Sequence, residues 1–136
     1  MAVAVAGASS RFAGFAGFVP IQPAQGVPEL DAWGSVTDLG ATLLAGDGLI
    51  SGRMTFGEPT SAVSAGYFAC TQGKFEMVYP FDEQALVVEG EATLRDARTG
   101  VAVRYRAGDG WFVEKGTPVI WEIHSARFVK HYLAVA

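Results

Sequence analysis

Residues 101–135 read VAVRYRAGDGWFVEKGTPVIWEIHSARFVKHYLAV. Three runs in this stretch have side chains that sort onto two alternating faces. Val101, Val103 and Tyr105 fall on one face, with Arg104 and Arg106 on the other. Val119, Trp121 and Ile123 oppose Ile120, Glu122 and His124, and Phe128, Lys130 and Tyr132 oppose Val129, His131 and Leu133. Successive side chains of an extended chain point to opposite faces, so a period of two marks half-buried strands. Turn-forming residues at 108–110 and 115–117 separate the runs.

The same texture extends back to Gly40. Apolar runs at 41–44, 49–56, 67–71, 74–79, 84–88, 91–96, 101–106, 111–113, 118–124 and 128–135 are predicted strands. Clusters of Gly, Asp and Pro punctuate them. Many short strands with regular turn signals indicate a sandwich or barrel. Residues 93–103 read as a hairpin around Arg98, Thr99 and Gly100, where glycine supplies the positive φ of the turn. The composition agrees. The chain has 136 residues, enough for one domain with a real core. Its 17 glycines suit a turn-rich fold, and 50% hydrophobic residues exceed what a disordered chain carries. No fixed-period repeat is present, which argues against a solenoid. The first 30 residues lack periodicity and carry Pro20, Pro23 and Pro28, so they read as an irregular N-terminal arm in which residues 28–33 could start one helical turn. The expected division is an arm over 1–39 and a β-barrel domain over 40–136.

A net charge of −4 excludes a nucleic-acid binder of the basic-patch kind. Cys70 is the only cysteine, which excludes a disulfide scaffold and fits a reducing compartment. Residues 1–17 are apolar, but their only base, Arg11, follows the apolar run instead of preceding it as a signal peptide requires. No run approaches the ~20 apolar residues of a membrane span. The expected setting is cytoplasmic. The GDG turns at 46–48 and 108–110 precede no helix and cradle no phosphate.

From Gly73 to Leu133 the chain resembles a cupin, the small jelly-roll barrel. Glu83 and Gly90 in EQALVVEG keep the Glu-to-Gly spacing of the first cupin motif, and Gly108 and Gly116 keep the Gly-to-Gly spacing of the second. The order of GKF at 73–75, Glu83, VVEGE at 87–91, AGD at 107–109, Lys115-Gly116, Trp121 and KHY at 130–132 is similar to cupins grouped with ureidoglycine aminohydrolase. The resemblance implies an all-β, single cupin-like (RmlC-like) jelly-roll barrel. It also implies a divalent ion held by three His and one Glu. Here the sequence departs. Under one spacing the first two His slots fall on Glu76 and Val78, and under the other on Met77 and Tyr79. The third His slot is Val119, the Asn slot Ile123 and the Pro slot Glu114. Two carboxylates are a poor transition-metal site, so no metal cofactor is expected.

Glu83 is the leading candidate. In an apolar barrel, desolvation favours its neutral form and suits it to general acid or base work. Ion pairing with Arg or Lys is the structural alternative. Glu76 lands on a ligand slot and pairs with Glu83 in the functional reading, while a solvent-facing strand residue is the plainer one. Tyr79 is an aromatic beside a turn, suited to lining a pocket, as are Tyr67, Phe81 and Trp111. Trp121 shares the face of Val119 and would occupy the space of an ion. His131, in KHY, is a candidate ligand-binding residue and equally a core histidine among Val129 and Leu133. The expected function is binding of a small polar molecule inside a barrel without the three-His site. The alternative is a divalent-metal enzyme of the ureidoglycine aminohydrolase type, or a related amide- or sugar-modifying activity. Exposed barrel edges need covering, which points to a homodimer.

Overall fold

The computed structural model describes residues 17–136, so most of the stretch weighed above as a leader lies outside the described residues. Nine strands dominate: β1 (Asp31–Ser35), β2 (Thr42–Gly46), β3 (Leu49–Phe56), β4 (Val63–Val78), β5 (Asp82–Glu89), β6 (Glu91–Asp96), β7 (Ala102–Arg106), β8 (Gly110–Val113) and β9 (Pro118–Val135). The described helical structure is two short 3-10 turns, Pro23–Gln25 and Val36–Leu39. No helix among the described residues is long and apolar enough to cross a membrane.

The two long strands organise everything else. β4 and β9 pair antiparallel from Val63 opposite Val135 to Val78 opposite Pro118. The first half of β4 and the second half of β9 carry β3, β1, β5 and β8; the other halves carry β2, β6 and β7. The result is an all-β jelly roll whose two sheets share their central strands.

The sequence divides each of these strands in two, at 72–73 and at 125–127, and the structure shows why. The pairing shifts register between Thr71 and Gly73. Before the shift, β4 turns Ser64 and Cys70 into the core; after it, Phe75 and the half-buried Met77. β9 likewise buries Val119, Trp121 and Ile123, then Phe128, Lys130 and Ala134. The inward face therefore changes parity across each bend, and a period-two pattern reads one bent strand as two. At the bend of β9, Ser125 Oγ donates to the Arg127 carbonyl and accepts from Glu91 N, while Arg127 is paired with Glu89 at 2.8 Å.

The irregular arm needs a second correction. Asp31–Ser35 is a strand, β1, paired with β3, where the sequence reading allows a helical turn over 28–33. The turn follows instead, at Val36–Leu39. Ser35 Oγ accepts from Thr37 N, and the Asp38 carboxylate accepts from Ser35 N, so both ends of a capping box are closed. Trp33 and Val36 from this segment pack against the main core, and Val19, Val27 and Leu30 cover the outer-face cluster of Tyr67, Ala69, Val88 and Val129. The predicted hairpin at 93–103 forms between β6 and β7, with Gly100 at φ 80°.

Gly52 on β3 is where Trp33 comes closest to the barrel wall. A Cβ there would collide with the indole ring of Trp33 and with the Tyr67 carbonyl. Gly52→Ala is expected to cost about 1–3 kcal/mol of stability, the usual range for overpacking, by displacing Trp33. Urea denaturation checks this, and an unchanged midpoint would show that Trp33 swings aside freely.

Candidate functional site

The inward parity of β9 places Lys130 between Phe128 and Tyr132, facing Glu83 at the start of β5. Both charged side chains are buried, Glu83 at 1% and Lys130 at 5% exposure. Lys130 Nζ lies 2.8 Å from Glu83 Oε1 and 2.9 Å from Oε2. Tyr79 donates its hydroxyl to Oε2 at 2.8 Å, and Trp111 Nε1–H donates to the same oxygen at 3.2 Å. A carboxylate taken out of water requires this degree of satisfaction.

Aromatic rings complete the surroundings of the ammonium. Nζ is 4.9 Å from the ring centre of Trp121, 5.1 Å from Phe68, 5.5 Å from Trp111, 5.6 Å from Tyr132 and 5.7 Å from Tyr79. Ring faces are attractive to a cation, and more so when it is desolvated. Burial nevertheless lowers the Lys130 pKa from its ordinary value, with Glu83 opposing that shift. Burial, reinforced by the Glu83 charge, raises the Tyr79 phenol well above its ordinary range.

Glu83, Lys130 and Tyr79 of this cluster line a cavity of about 380 Å3. Its walls are apolar, including Trp33, Ile50, Phe75, Met77 and Phe81, and its polar lining includes Glu83, Lys130 and Tyr79. Trp121 lines it too, buried at 1% and stacked on Phe75. Its Nε1–H is buried with no hydrogen-bond partner. That nitrogen lies beside the Tyr79 hydroxyl and is itself closed off from the cavity space.

The cupin fold implies a divalent ion, and the donors here do not fit one. No group of three or more His, Cys, Asp or Glu among the described residues is arranged to hold a metal. Val119 and Met77 bring apolar side chains to two ligand slots, and Val78, at another, is 63% exposed. Glu83, the one carboxylate in place, is already saturated by Lys130, Tyr79 and Trp111.

The sequence candidates separate accordingly. Glu83, Tyr79 and Trp121 meet at the cavity. Glu76 does not join them: it is exposed on the outer side of β4, between inward-facing Phe75 and Met77, so the expected pairing with Glu83 does not form. His131 has the opposite parity to Lys130 and sits on the outer face. Its Nε2 is 2.8 Å from Thr55 Oγ1, and its ring meets Tyr67 edge-on at 5.0 Å. Lys130 is the residue that the sequence reading does not single out, and Trp111, there a candidate pocket-lining aromatic, proves to donate to Glu83. The signal for Lys130 was visible as a lysine on the inward phase between two aromatics.

The family model described as the EutQ-like cupin domain matches residues 57–132, from just before β4 to near the end of β9. Among solved structures, a putative ethanolamine utilization protein Q from Salmonella typhimurium LT2 is 20% identical, with 80% of this chain and 95% of that chain covered at a TM-score of 0.54. A protein of unknown function of the DUF861 family from Pseudomonas syringae pv. tomato is 18% identical, with 88% of this chain and 48% of that chain covered at a TM-score of 0.67. The EutQ protein of Clostridium difficile is 17% identical, with 64% and 68% covered at a TM-score of 0.54. No curated protein matches the chain. At these identities the structural neighbours establish the fold alone.

Two predictions follow from the charges. Removing one partner of the buried pair, as in Lys130→Met, is expected to cost about 3–5 kcal/mol, because Glu83 is left buried and unpaired. The double variant Glu83→Gln with Lys130→Met should recover most of that loss, which a double-mutant cycle by urea denaturation reads directly. The second concerns His131, whose pKa burial pushes down to about 4 from 6.5. Between those values the unfolded chain binds the proton and the folded chain does not, so stability falls as pH drops from 6.5 to 4. The loss should reach about 3 kcal/mol and be absent in His131→Gln, as measured by denaturation at stepped pH.

Proposed function

The chain belongs to the EutQ-like cupin domain family, and we propose that it binds a small, uncharged molecule with an apolar body and an oxygen acceptor inside the barrel. The observation that carries this reading is the cavity of about 380 Å3 whose mostly apolar wall includes the hydrogen-bonded cluster of Glu83, Lys130 and Tyr79. The polar accounting selects the ligand class. Lys130 and Glu83 cancel each other's charge, so the site offers no net attraction to an ion. Glu83 Oε2 already receives Tyr79, Trp111 and Lys130. Two of the three Lys130 protons are engaged by Glu83, and the remaining contact, to Tyr79 Oη, is long at 3.4 Å. What is left over is the third Lys130 proton, a lone pair of Glu83 Oε1 and the Ser64 hydroxyl on the cavity wall, which a ligand carbonyl or hydroxyl group satisfies. A ligand ammonium would face the Lys130 cation and is disfavoured.

A metal-dependent activity of the ureidoglycine aminohydrolase type needs ligands that Val119, Met77 and outward-facing Glu76 do not supply, so no step through an ion is derived. We keep the homodimer as part of the proposal. Phe56, Leu133 and Phe112, exposed at 44%, 45% and 64%, belong to one cross-strand row on the outer face of a sheet. A second copy of the chain is the natural cover for that row.

The test uses the three tryptophan indole resonances in proton–nitrogen NMR. Benzyl alcohol and ε-caprolactam are titrated as neutral probes, with sodium benzoate as the charged control. A saturable shift of the Trp121 indole with either neutral probe, and a weaker one with benzoate, is expected. If no indole signal moves up to the solubility limit of both neutral probes, the binding reading fails.

A further inference from the structure

Lys130 is a primary amine on the wall of a cavity, beside a carboxylate that can take its proton. We propose that Lys130 condenses reversibly with the carbonyl group of a small aldehyde or ketone in this cavity, forming an imine. This deepens the binding reading and rests on it: the oxygen acceptor inferred above becomes the carbonyl oxygen of the reacting molecule.

The steps balance without any oxidant, reductant or metal. The Nζ proton moves to a Glu83 oxygen, 2.8 to 2.9 Å away, leaving a free amine beside a neutral acid. The nitrogen lone pair attacks the carbonyl carbon; a C–N bond forms and the C=O π bond breaks onto oxygen. Glu83 returns its proton to that oxygen, giving the carbinolamine hydroxyl. A second N–H proton then passes to Glu83 and on to the hydroxyl, which leaves as water while the nitrogen lone pair closes the C=N bond. Overall, ammonium plus carbonyl becomes protonated imine plus water, with Glu83 ionised at both ends.

That symmetry is the main physical argument. The five rings and the carboxylate around Nζ hold a cation before the reaction and a cation after it, so the environment that stabilises the lysine also stabilises its product. Tyr79 donates to Glu83 Oε2 and leaves Oε1 for proton transfer. The Trp121 ring lines the cavity 4.9 Å from Nζ and packs against the place the carbonyl compound would take. Desolvation of Lys130, which lowers its proton affinity, assists the first step. The apolar walls restrict access of bulk water to the imine. Lys74 and Lys115, the other two lysines of the chain, lie outside this enclosure and serve as internal controls.

The experiment incubates the whole protein with benzaldehyde, and separately with propanal, in the presence of sodium cyanoborohydride at neutral pH. Intact mass and peptide mapping then locate the reduced adduct. Labelling of Lys130 at least ten times faster than of Lys115 is expected with at least one probe. It should be slowed by benzyl alcohol as a competitor and at least tenfold slower in Glu83→Gln, which keeps the amine. Circular dichroism confirms that this variant is folded; if it is not, Trp121→Phe, expected to slow labelling severalfold, takes its place. If adducts from both probes appear only on Lys74, Lys115 or the N-terminal amine, while benzyl alcohol still shifts the Trp121 indole, imine formation is overturned and the binding reading stands. If benzyl alcohol and ε-caprolactam also fail to shift it, both fall.

Discussion

An ammonium and a carboxylate removed from water are tolerable only together, and the interior of this barrel is arranged around keeping them so. Glu83 and Lys130 come from strands that are neighbours in the sheet, but they are not directly opposite: Glu83 pairs with Ala134 and Lys130 with Val87. The side chains lean across the register to meet. Tyr79 and Trp111 then close on one carboxylate oxygen from a turn and from an edge strand. Four segments of the chain, separated by up to 51 residues, are thereby fixed to one pair of charges. Apolar packing around that pair is extensive, with Trp121 stacked on Phe75 and edge-on to Trp111 and Phe128. Replacing such a pair with well-packed hydrophobic residues is often neutral or stabilising in other proteins.

The same interior shows how one fold can exchange one chemistry for another. A cupin barrel normally turns imidazoles and a carboxylate toward a common point to hold an ion. In this chain the carboxylate remains as Glu83, and the charge that satisfies it is a covalently attached ammonium in place of a metal. A lysine supplies positive charge without coordination geometry, so the rest of the wall is free to be aromatic. The site thus combines an ammonium, a carboxylate and a largely aromatic wall.

Much of the fold was legible in the sequence because alternation is a local signal. The runs at 49–56, 91–96 and 111–113 coincide closely with β3, β6 and β8. Turn glycines marked the hairpin between β6 and β7 for the same reason. What escaped is non-local. β1 carries Gly34 and a register irregularity between Ala32 and Gly34 that breaks its alternation, and its pairing with β3 makes it a strand. The continuity of β4 and β9 was hidden because their bends reverse which residues face inward. For the site, Glu83, Tyr79 and Trp121 were found through spacing and parity. Glu76 was assigned from a ligand-slot count that ignores which way its side chain points, and Phe75 and Met77 claim the inner face on either side of it. His131 had already been placed on the face opposite Lys130; parity alone separates it from the cavity. Lys130 was overlooked because a lysine is ordinarily read as solvent-facing, although the aromatic residues two positions to either side placed it inside.

The reversal of the inward face within β4 and β9 has a consequence for how such a chain can change over time. Deleting or inserting one residue near Ser125 would not shorten or lengthen a loop; it would turn the rest of β9 over. Lys130 would emerge on the outer surface and His131 would enter the barrel, exchanging a cation for an imidazole opposite Glu83. Insertions and deletions at the bends are therefore constrained to even numbers, whereas those in the hairpin turn at 97–100 are free to vary. Lineages descended from such a chain would be expected to differ in length at their turns while keeping a strict count along the two central strands.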